Sequence, residues 1–377
     1  MEKLLVMNPG STSTKIAVYE DEKALFVENI AHTTEELAQF DEITDQFEFR
    51  KDTIIDAMER HGVALSDLTA IVSRCGLLPP IEAGAYKVNE DMVWQMKYNP
   101  QNNHASNVGA PIAYALSQEL GIPAFVYDGI TVDEMIPLTK ITGFKEMRRK
   151  ALGHNLNMRA AAKRWEKENG KPYTEANLII AHLGGGITES LHSKGRIIDF
   201  VSDEEGPFSP ERTGGLPLFQ VVDMAFSGEY DQKSMMKKIK GAGGLNSHLG
   251  TNDTRDVEKM IAEGDENAAL VYEAMALSVA KHIAALSTTV NGEVDAIILT
   301  GGIANSEKFT KMVSDRVKFI APVVIYAGEN EMDSLAFGAL RVLRGEEIAK
   351  EFTKVEGRSD LTKSNQKGHL HCLQMSF

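Results

Sequence analysis

The chain has 377 residues, 43% of them hydrophobic and 25% charged, which is ordinary for a globular protein with room for two domains. A net charge of −14 argues against nucleic acid or an anionic membrane as a main partner. The two cysteines, Cys75 and Cys372, exclude a disulfide framework and a zinc ribbon. No stretch reads as a signal peptide or a membrane span, so we expect a cytoplasmic protein.

The first element is an apolar strand starting at Leu4, followed by a turn rich in glycine and hydroxyls and by a second strand, Lys15 to Tyr19. Backbone N–H groups near Gly10, the Asn8 amide, the hydroxyls of residues 11–14 and the Lys15 ammonium could surround a phosphate. An ordinary Ser/Thr-rich turn explains the same residues, and the pattern alone favours neither interpretation.

Strands and helices alternate along the next part of the chain. Helical spacing predicts a helix between Thr34 and His61, and a strand follows that leads to Arg74. Beyond a helix from about Val108, a further strand ends at Asp128, and a basic helix is predicted from Phe144 to Asn169. This alternation predicts an α/β protein.

A related strand and glycine turn returns at Leu178–Leu183, followed by Gly184, Gly185 and Gly186, and a third strand reaches glycines at Gly301 and Gly302. Three such loops suggest a duplicated nucleotide-binding architecture. A P-loop is excluded because Thr14 precedes Lys15 where that motif needs glycine.

The later chain contains a turn-rich segment, residues 204–215, and a long helix from Asp265 to Val290. This helix is the candidate for packing or for dimer contact. The segment Ser334 to Leu343 is the last core element, and we expect residues 357–377 to be a disordered tail. The tail carries a His-x-His-Cys cluster, residues 369–372, to which we assign no function.

The ordered motifs resemble the acetate and butyrate kinases, and the butyrate kinases more closely, from about Lys3 to Val355. The motifs that carry this resemblance are Asn8–Lys15, Ser73-Arg74, residues 104–107, Ala181–Gly186, Gly206–Arg212, Thr300–Gly302 and Asn330-Glu331. The resemblance implies the duplicated, ribonuclease-H-like fold of the actin, Hsp70 and hexokinase superfamily, with nucleotide in the cleft between two domains. It implies reversible transfer of the ATP γ-phosphoryl group to a short-chain carboxylate, which gives an acyl phosphate and ADP.

Arg74 and Arg212 are the candidates for neutralising carboxylate and phosphoryl charge, because each guanidinium offers a fixed fork of donors. Surface salt bridges are the alternative for either arginine alone. The resemblance adds His154 as a group that stabilises the transferring phosphoryl, and His182 beside the phosphates, although a histidine at a strand end is often structural.

The resemblance assigns Mg²⁺ to Asp128 and Glu331, largely through water, and counts Asp128 among the catalytic residues. A turn-forming role is the alternative for Asp128, since Gly129 follows it. The residues expected to bind ATP or ADP are Asn8, Ser11, Ser13, Lys15, His182, Gly184, Gly185, Gly186, Asp253, Arg255, Gly301, Gly302 and Ile303.

We expect an N-terminal domain of residues 1–147 plus 331–356, a C-terminal domain of residues 148–330, and a homodimer or higher homo-oligomer. Cys75, Gly153, Glu189 and a short 201–206 loop depart from the family pattern. Three interpretations stay open: a butyrate kinase, an acetate or propionate kinase, and a nucleotide-binding relative that has lost turnover.

Overall fold

The computed structural model describes residues 1–355 as strands and helices in alternation. The strands are β1 (Lys3–Pro9), β2 (Ser13–Glu20), β3 (Lys23–Ala31), β4 (Ala70–Arg74), β5 (Ala85–Lys87), β6 (Ala124–Tyr127), β7 (Asn177–Leu183), β8 (Ile187–Ser193), β9 (Arg196–Val201), β10 (Ala296–Gly301), β11 (Val323–Ala327) and β12 (Lys350–Glu351). The α-helices are α1 (Thr34–Leu37), α2 (Phe47–Arg60), α3 (Glu90–Tyr98), α4 (Gly109–Leu120), α5 (Asn155–Asn169), α6 (Leu218–Phe226), α7 (Gln232–Ile239), α8 (Gly244–Leu249), α9 (Thr254–Ala262), α10 (Glu266–Thr288), α11 (Glu307–Val317) and α12 (Glu331–Leu343). The expected tail at 357–377, with its His-x-His-Cys cluster, lies outside the described residues.

The chain divides into two compact units. Unit 1 consists of Met1–Val132 and the segment from Glu331 onward, and unit 2 consists of Asp133–Asn330. The first boundary comes before the expected residue 147 because the start of unit 2 is bonded to β9. The Ile136 N–H donates to the Ile198 carbonyl at 3.1 Å, and the Ile197 N–H donates to the Glu134 carboxylate at 2.9 Å.

Each unit contains one sheet, and five strands of each sheet follow the same order. In unit 1 the order is β3-β2-β1-β4-β6, with β5 and β12 added beyond β6, and in unit 2 it is β9-β8-β7-β10-β11. In unit 1, β1 pairs antiparallel with β2 and parallel with β4. In unit 2, β7 likewise pairs antiparallel with β8 and parallel with β10. The α/β architecture predicted as duplicated is confirmed, and the two glycine turns occupy equivalent places.

The core of unit 2 lies between its sheet and helix α10. The Asp265 side chain caps this helix by accepting from the Ala268 N–H at 2.9 Å, as its position predicts. Val271, Met275 and Val279 are buried in the same apolar cluster as Ile179 and Leu191 of the sheet. By length and hydropathy α10 could cross a membrane, but its burial against β7 and β8 is the packing of a core helix.

Two predicted helices differ from the structure. The one predicted between Thr34 and His61 is broken into α1, a 3-10 turn and α2. The one predicted from Phe144 is wrong in its first part, since α5 begins at Asn155. The Arg149 side chain explains this, because it donates to the carbonyls of Thr139 and Phe200 and pairs with Asp199 at 3.0 Å. These contacts hold the segment against β9 in a non-helical path.

Candidate functional site

In unit 1 the first glycine turn connects two paired strands. The Gly10 N–H donates to the Ser13 carbonyl at 2.8 Å and closes the turn, which leaves Ser11 exposed at its tip. Asn8 and Lys15 are register partners at the base of the turn. Backbone and side-chain donors of the predicted phosphate loop therefore come from adjacent positions of one hairpin.

Three predicted site residues from distant parts of the sequence meet in unit 1. The Arg74 guanidinium at the end of β4 donates to Glu331 Oε1 at 2.7 Å, and the Asn8 amide donates to Glu331 Oε2 at 2.6 Å. Glu331 is the first residue of α12, where the helix dipole favours a carboxylate. One carboxylate therefore orients both the arginine and the amide of the phosphate loop.

Asp128 follows β6 in a left-handed conformation, with φ +39°, and its Oδ1 accepts from the Gly84 N–H at 2.7 Å. The left-handed backbone is the conformation that the turn-forming alternative requires, and the magnesium role of Asp128 stays a prediction. The next residue, Gly129, packs against the buried Cys75, and burial raises the pKa of that thiol to about 12. Cys75 is therefore a neutral packing residue at this turn.

The donor set of unit 1 fits a magnesium ion in a limited way. Within residues 1–355 no group of three His, Cys, Asp or Glu side chains is placed to hold a metal. Asp128 and Glu331 are the predicted oxygen ligands, and proteins commonly hold Mg²⁺ by one or two carboxylates while substrate phosphates and water complete its coordination. Asp128 and Glu331 fit an ion that is held by two carboxylates and completed by phosphates and water.

A buried arginine that sequence reasoning missed is hydrogen-bonded to the first glycine turn from the core side. Arg50 of α2 is fully buried, and it donates to the Ser13 carbonyl and to Thr14 Oγ1, each at 3.0 Å. Burial lowers the pKa of Arg50 to about 10. Thr14 Oγ1 also lies 2.7 Å from His32 Nε2, so the Thr14 hydroxyl faces the core and was wrongly counted among the phosphate donors.

In unit 2 the second glycine turn is tied to the loop that carries Arg212. The Ser209 hydroxyl donates to the Gly185 carbonyl at 2.7 Å, and the Glu211 N–H donates to the same oxygen at 3.2 Å. The Arg212 N–H in turn donates to Ser209 Oγ at 3.1 Å. The structure therefore places Arg212 beside the Gly184–Gly186 turn that the sequence predicts to bind phosphate.

The Arg212 side chain has two carboxylate neighbours. Its Nε lies 3.2 Å from Asp203, and its Nη1 lies 3.2 Å from Glu211. Glu211 also accepts from the Asn252 amide at 2.7 Å, which connects this loop to the predicted adenosine segment around Asp253. The guanidinium is thus held in place by groups that an incoming phosphoryl oxygen would compete with.

His154 and His182 form a stacked pair in unit 2, with ring centroids 3.8 Å apart and planes inclined by 5°. His154 Nδ1 lies 3.0 Å from Thr188 Oγ1. The Asn157 amide donates to His182 Nδ1 at 2.9 Å, so a neutral His182 carries its proton on Nε2. That nitrogen lies 3.0 Å from Glu329 Oε1.

Asn157 and Glu329 were missed by sequence reasoning. Asn157 follows His154 by three residues at the start of α5, and that helical spacing is the signal that could have found it. Its amide also donates to Thr300 Oγ1 at 3.1 Å, directly before the third glycine junction. No local sequence pattern points to Glu329, because its partner His182 lies in β7, far away in the sequence.

The remaining predicted nucleotide residues fall into two places. Asp253 caps α9 and pairs with Arg255, whose hydrogen bonds lower the pKa of Asp253 to about 2. Gly301 has φ +89°, and a Cβ there would lie 2.4 Å from the Leu183 carbonyl oxygen, so only glycine fits. Gly302 stays open to approach, whereas the Ile303 side chain packs in the core of unit 2.

The structure shows what surrounds Gly153 and Glu189, two of the residues that depart from the family pattern. A Cβ at Gly153 would lie 2.7 Å from Thr188 Cγ2 and 2.8 Å from the Phe200 ring, so no larger residue fits there without movement. Glu189 is fully buried in β8, and burial raises the pKa of its carboxyl well above the usual range.

Two sheets of the same strand order, each with a glycine turn after its first strand and each with an arginine held near that turn, make a duplicated α/β fold with two candidate phosphate sites. The model of the acetokinase family matches residues 145–334. The chain is 48% identical to butyrate kinase 1 of Clostridium acetobutylicum over 354 residues, which cover 93% of this chain and all of that protein. The chain belongs to the acetokinase family, and it is a carboxylate kinase that uses ATP and ADP.

Solved structures agree on the fold. Acetate kinase of Porphyromonas gingivalis superposes with a TM-score of 0.77 at 16% identity, covering 91% of this chain and 100% of that one. A propionate kinase from Francisella tularensis superposes with a TM-score of 0.69 at 19% identity, covering 90% and 99%. The chain therefore has the fold of these acetate and propionate kinases.

Proposed function

We propose that this carboxylate kinase phosphorylates butyrate reversibly, giving butanoyl phosphate and ADP. The observation that carries the proposal is the 48% identity to a butyrate kinase along that protein's full length. In this proposal the enzyme is a cytoplasmic homodimer or larger homo-oligomer. It binds neither nucleic acid nor membranes, because its net charge of −14 would repel both.

The transfer is a direct in-line displacement. A carboxylate oxygen forms a bond to the γ-phosphorus while the bond from that phosphorus to the β–γ bridging oxygen breaks. Arg74 and Arg212 supply charge-assisted hydrogen bonds to the acid and to equatorial phosphoryl oxygens, and His154 donates an N–H to the same group. The support for these roles is that each arginine is already oriented by carboxylates next to a glycine turn.

The two loops bind the nucleotide in this proposal. Asn8, Ser11, Ser13 and Lys15 hold phosphate in unit 1, and Gly184–Gly186 with His182 do so in unit 2. Asp253, Arg255 and Gly301–Ile303 line the adenosine site. Asp128 and Glu331 hold Mg²⁺ largely through water, and the ion would neutralise charge on the phosphates.

A hydroxylamine trap tests the substrate, because it converts an acyl phosphate to a hydroxamate that can be measured for each acid. With ATP and Mg²⁺ we expect kcat/KM for butyrate to exceed that for acetate by about 100-fold or more, since butyrate has two methylenes more than acetate and each buried methylene contributes a factor of about 10 or more. Propionate should fall between the two acids. A higher kcat/KM with acetate or propionate would replace butyrate as the substrate.

Glu331→Gln is expected to raise the Mg²⁺ concentration needed for half-maximal activity by about 10-fold, because a ligand or supporting carboxylate is worth 10- to 100-fold in metal affinity. The measurement is a Mg²⁺ titration at saturating ATP and butyrate. Glu307→Gln is the matched control, since Glu307 is the first residue of α11, as Glu331 is of α12, and it is exposed. A lower kcat at unchanged Mg²⁺ dependence would show that Glu331 only orients Arg74.

A further inference from the structure

The buried arginine of α2 carries a positive charge but donates only to uncharged oxygens. The Arg50 Nε donates to Gln46 Oε1 at 2.9 Å, and its Nη1 donates to the Ser13 carbonyl and to Thr14 Oγ1. Its Nη2 has no hydrogen-bond partner in the described part of the chain. Burying a charge is costly unless an opposite charge compensates it. Within residues 1–355, Arg50 therefore lacks a carboxylate partner.

The side chains that surround the Arg50 guanidinium do not balance its charge. His32 is buried, with its Nε2 2.7 Å from Thr14 Oγ1. Burial and then the charge of Arg50 lower the pKa of His32, so this ring is neutral at pH 7. Glu36 opposes that shift, but its carboxylate accepts from the Thr33 N–H at 2.7 Å and does not pair with Arg50. The cluster of Arg50, Thr14 and His32 therefore has a net charge of one at neutral pH.

The predicted phosphate site lies on the other side of β2 from Arg50. Side chains alternate along a strand, so Thr14 faces Arg50 while Ser13 and Lys15 face away from it, as their partial exposure agrees. Residues 8–15 contain one cation, Lys15, and no acid. The first glycine turn therefore has a positive charge on each side of the strand and no negative charge of its own.

Glu331 is an acid that does reach the first glycine turn, and its charge is already paired. Its Oε1 accepts from Arg74 at 2.7 Å, and its Oε2 accepts from the Asn8 amide at 2.6 Å. Glu331 therefore balances Arg74 and not Arg50. The charge that balances Arg50 has to come from a ligand, and phosphate is the anion that the proposed function brings to this turn.

We propose that Arg50 is a positioning residue of the first glycine turn: it holds Ser13 and Thr14 from the core side, and bound nucleotide phosphate supplies its counter-charge. This rests on the proposed function, in which the turn binds phosphate. Arg50 does not touch the nucleotide, because β2 lies between them. Its charge acts through a buried region, where Coulomb interactions are screened less than in water. Arg50 therefore lowers the stability of the nucleotide-free protein and raises its affinity for nucleotide.

Arg50→Met separates this role from a purely structural one. Without the guanidinium, the Ser13 carbonyl still accepts from the Gly10 N–H at 2.8 Å, and Thr14 Oγ1 still has His32 as a partner. Replacing buried charges by apolar side chains of similar volume is often neutral or stabilising. We therefore expect the urea midpoint of nucleotide-free Arg50→Met to equal or exceed that of the wild type. Removal of a structural arginine would lower it.

Calorimetry on the full chain measures the effect of Arg50 on nucleotide affinity. Arg50→Gln keeps a hydrogen-bonding side chain without the charge. It should raise the Kd of ATP with Mg²⁺ by about 10-fold, which is the effect of two unit charges about 10 Å apart near a protein surface. Arg50→Lys keeps the charge and should stay within about 3-fold of the wild type. The Kd of adenosine should be the same in all three proteins, because adenosine has no phosphate.

Arg60→Gln is the matched control, because Arg60 lies in the same helix and pairs with Glu28 at the surface at 2.8 Å. It should leave both Kd values and the urea midpoint unchanged. A wild-type Kd for ATP in Arg50→Gln, or an equal loss in Arg50→Lys and Arg50→Gln, would overturn the role of the charge. A lower urea midpoint for Arg50→Met would make Arg50 a structural residue.

The binding measurement contains no carboxylic acid substrate, so failure of the butyrate proposal would be seen separately. A wild-type protein that binds ATP no more tightly than adenosine would overturn phosphate binding at the turn, and the role of Arg50 with it. Tight binding of ATP together with unaltered affinity in Arg50→Gln would overturn the role of Arg50 alone.

Discussion

Arg212→Ala is expected to lower kcat by about 100-fold or more, since one preorganised donor to developing charge is worth about that factor. The side chain sits between Asp203 and Glu211, and its loop is bonded to the Gly185 carbonyl. Removing the guanidinium leaves this loop in place while deleting the donor fork. The loss should therefore appear in kcat with little change in the unfolding temperature.

Arg212→Lys should recover only a small part of the rate, because an ammonium cannot reproduce the planar fork of a guanidinium. Arg60→Ala is the matched control, since Arg60 pairs with Glu28 on the surface of unit 1. The rates are measured with the hydroxylamine trap at saturating butyrate and ATP. If kcat were unchanged and only the stability fell, Arg212 would be a structural salt-bridge residue.

Glu189→Leu is expected to stabilise the protein by about 1–3 kcal/mol at pH 5, which is the cost of burying a polar group without compensation. Glu189 is a register partner of Ala181 in β7 and of Val201 in β9. Ile187 and Leu191, two positions away on the same strand, belong to the apolar core. In the described part of the chain neither carboxyl oxygen of Glu189 has a hydrogen-bond partner.

The gain from Glu189→Leu should grow with pH. Burial raises the pKa of Glu189 well above its value in the unfolded chain, so the folded state retains a proton that the unfolded state releases. The free energy of unfolding of the wild type therefore falls as pH rises above the unfolded pKa, by at most about 1.4 kcal/mol per pH unit, until the folded pKa is reached. Below the unfolded pKa this penalty disappears.

Urea unfolding between pH 5 and 8 measures this effect. Glu189→Gln keeps the shape and polarity but cannot ionise, so it should lose the pH slope that the wild type owes to this residue. Glu175→Gln, at an exposed position, should keep that slope. Equal slopes for the wild type and Glu189→Gln would mean that Glu189 is ionised in the folded protein.

Local patterns were sufficient where one element determines its own structure. The first hairpin was predicted from neighbouring residues, and the structure confirms it. Asp265 and Ser306 cap α10 and α11 through equally local hydrogen bonds from the Ala268 and Phe309 N–H groups. The sequence also indicated both glycine turns, because an apolar strand before glycine repeats. The equal strand order of the two sheets is the physical basis of that repeat.

Long-range partners could not be predicted from one sequence. Arg50 looks like any helix arginine until β2 is placed beside it, and Asn157 becomes informative only when His182 is near. The helix predicted from Phe144 failed because the tertiary contacts of Arg149 outweigh local helical propensity. The roles of the predicted site residues remain predictions, and the variants above test them.

The return of the chain to unit 1 sets the order in which the protein can be completed during synthesis. Unit 2 is one continuous segment, Asp133–Asn330, whereas unit 1 needs both ends of the chain. Glu331 comes 257 residues after Arg74 and 323 after Asn8, so neither has this carboxylate partner while the ribosome is still translating unit 2. Contacts of such sequence separation form late and slowly. The nascent enzyme therefore holds its Arg74 site unassembled until α12 has emerged.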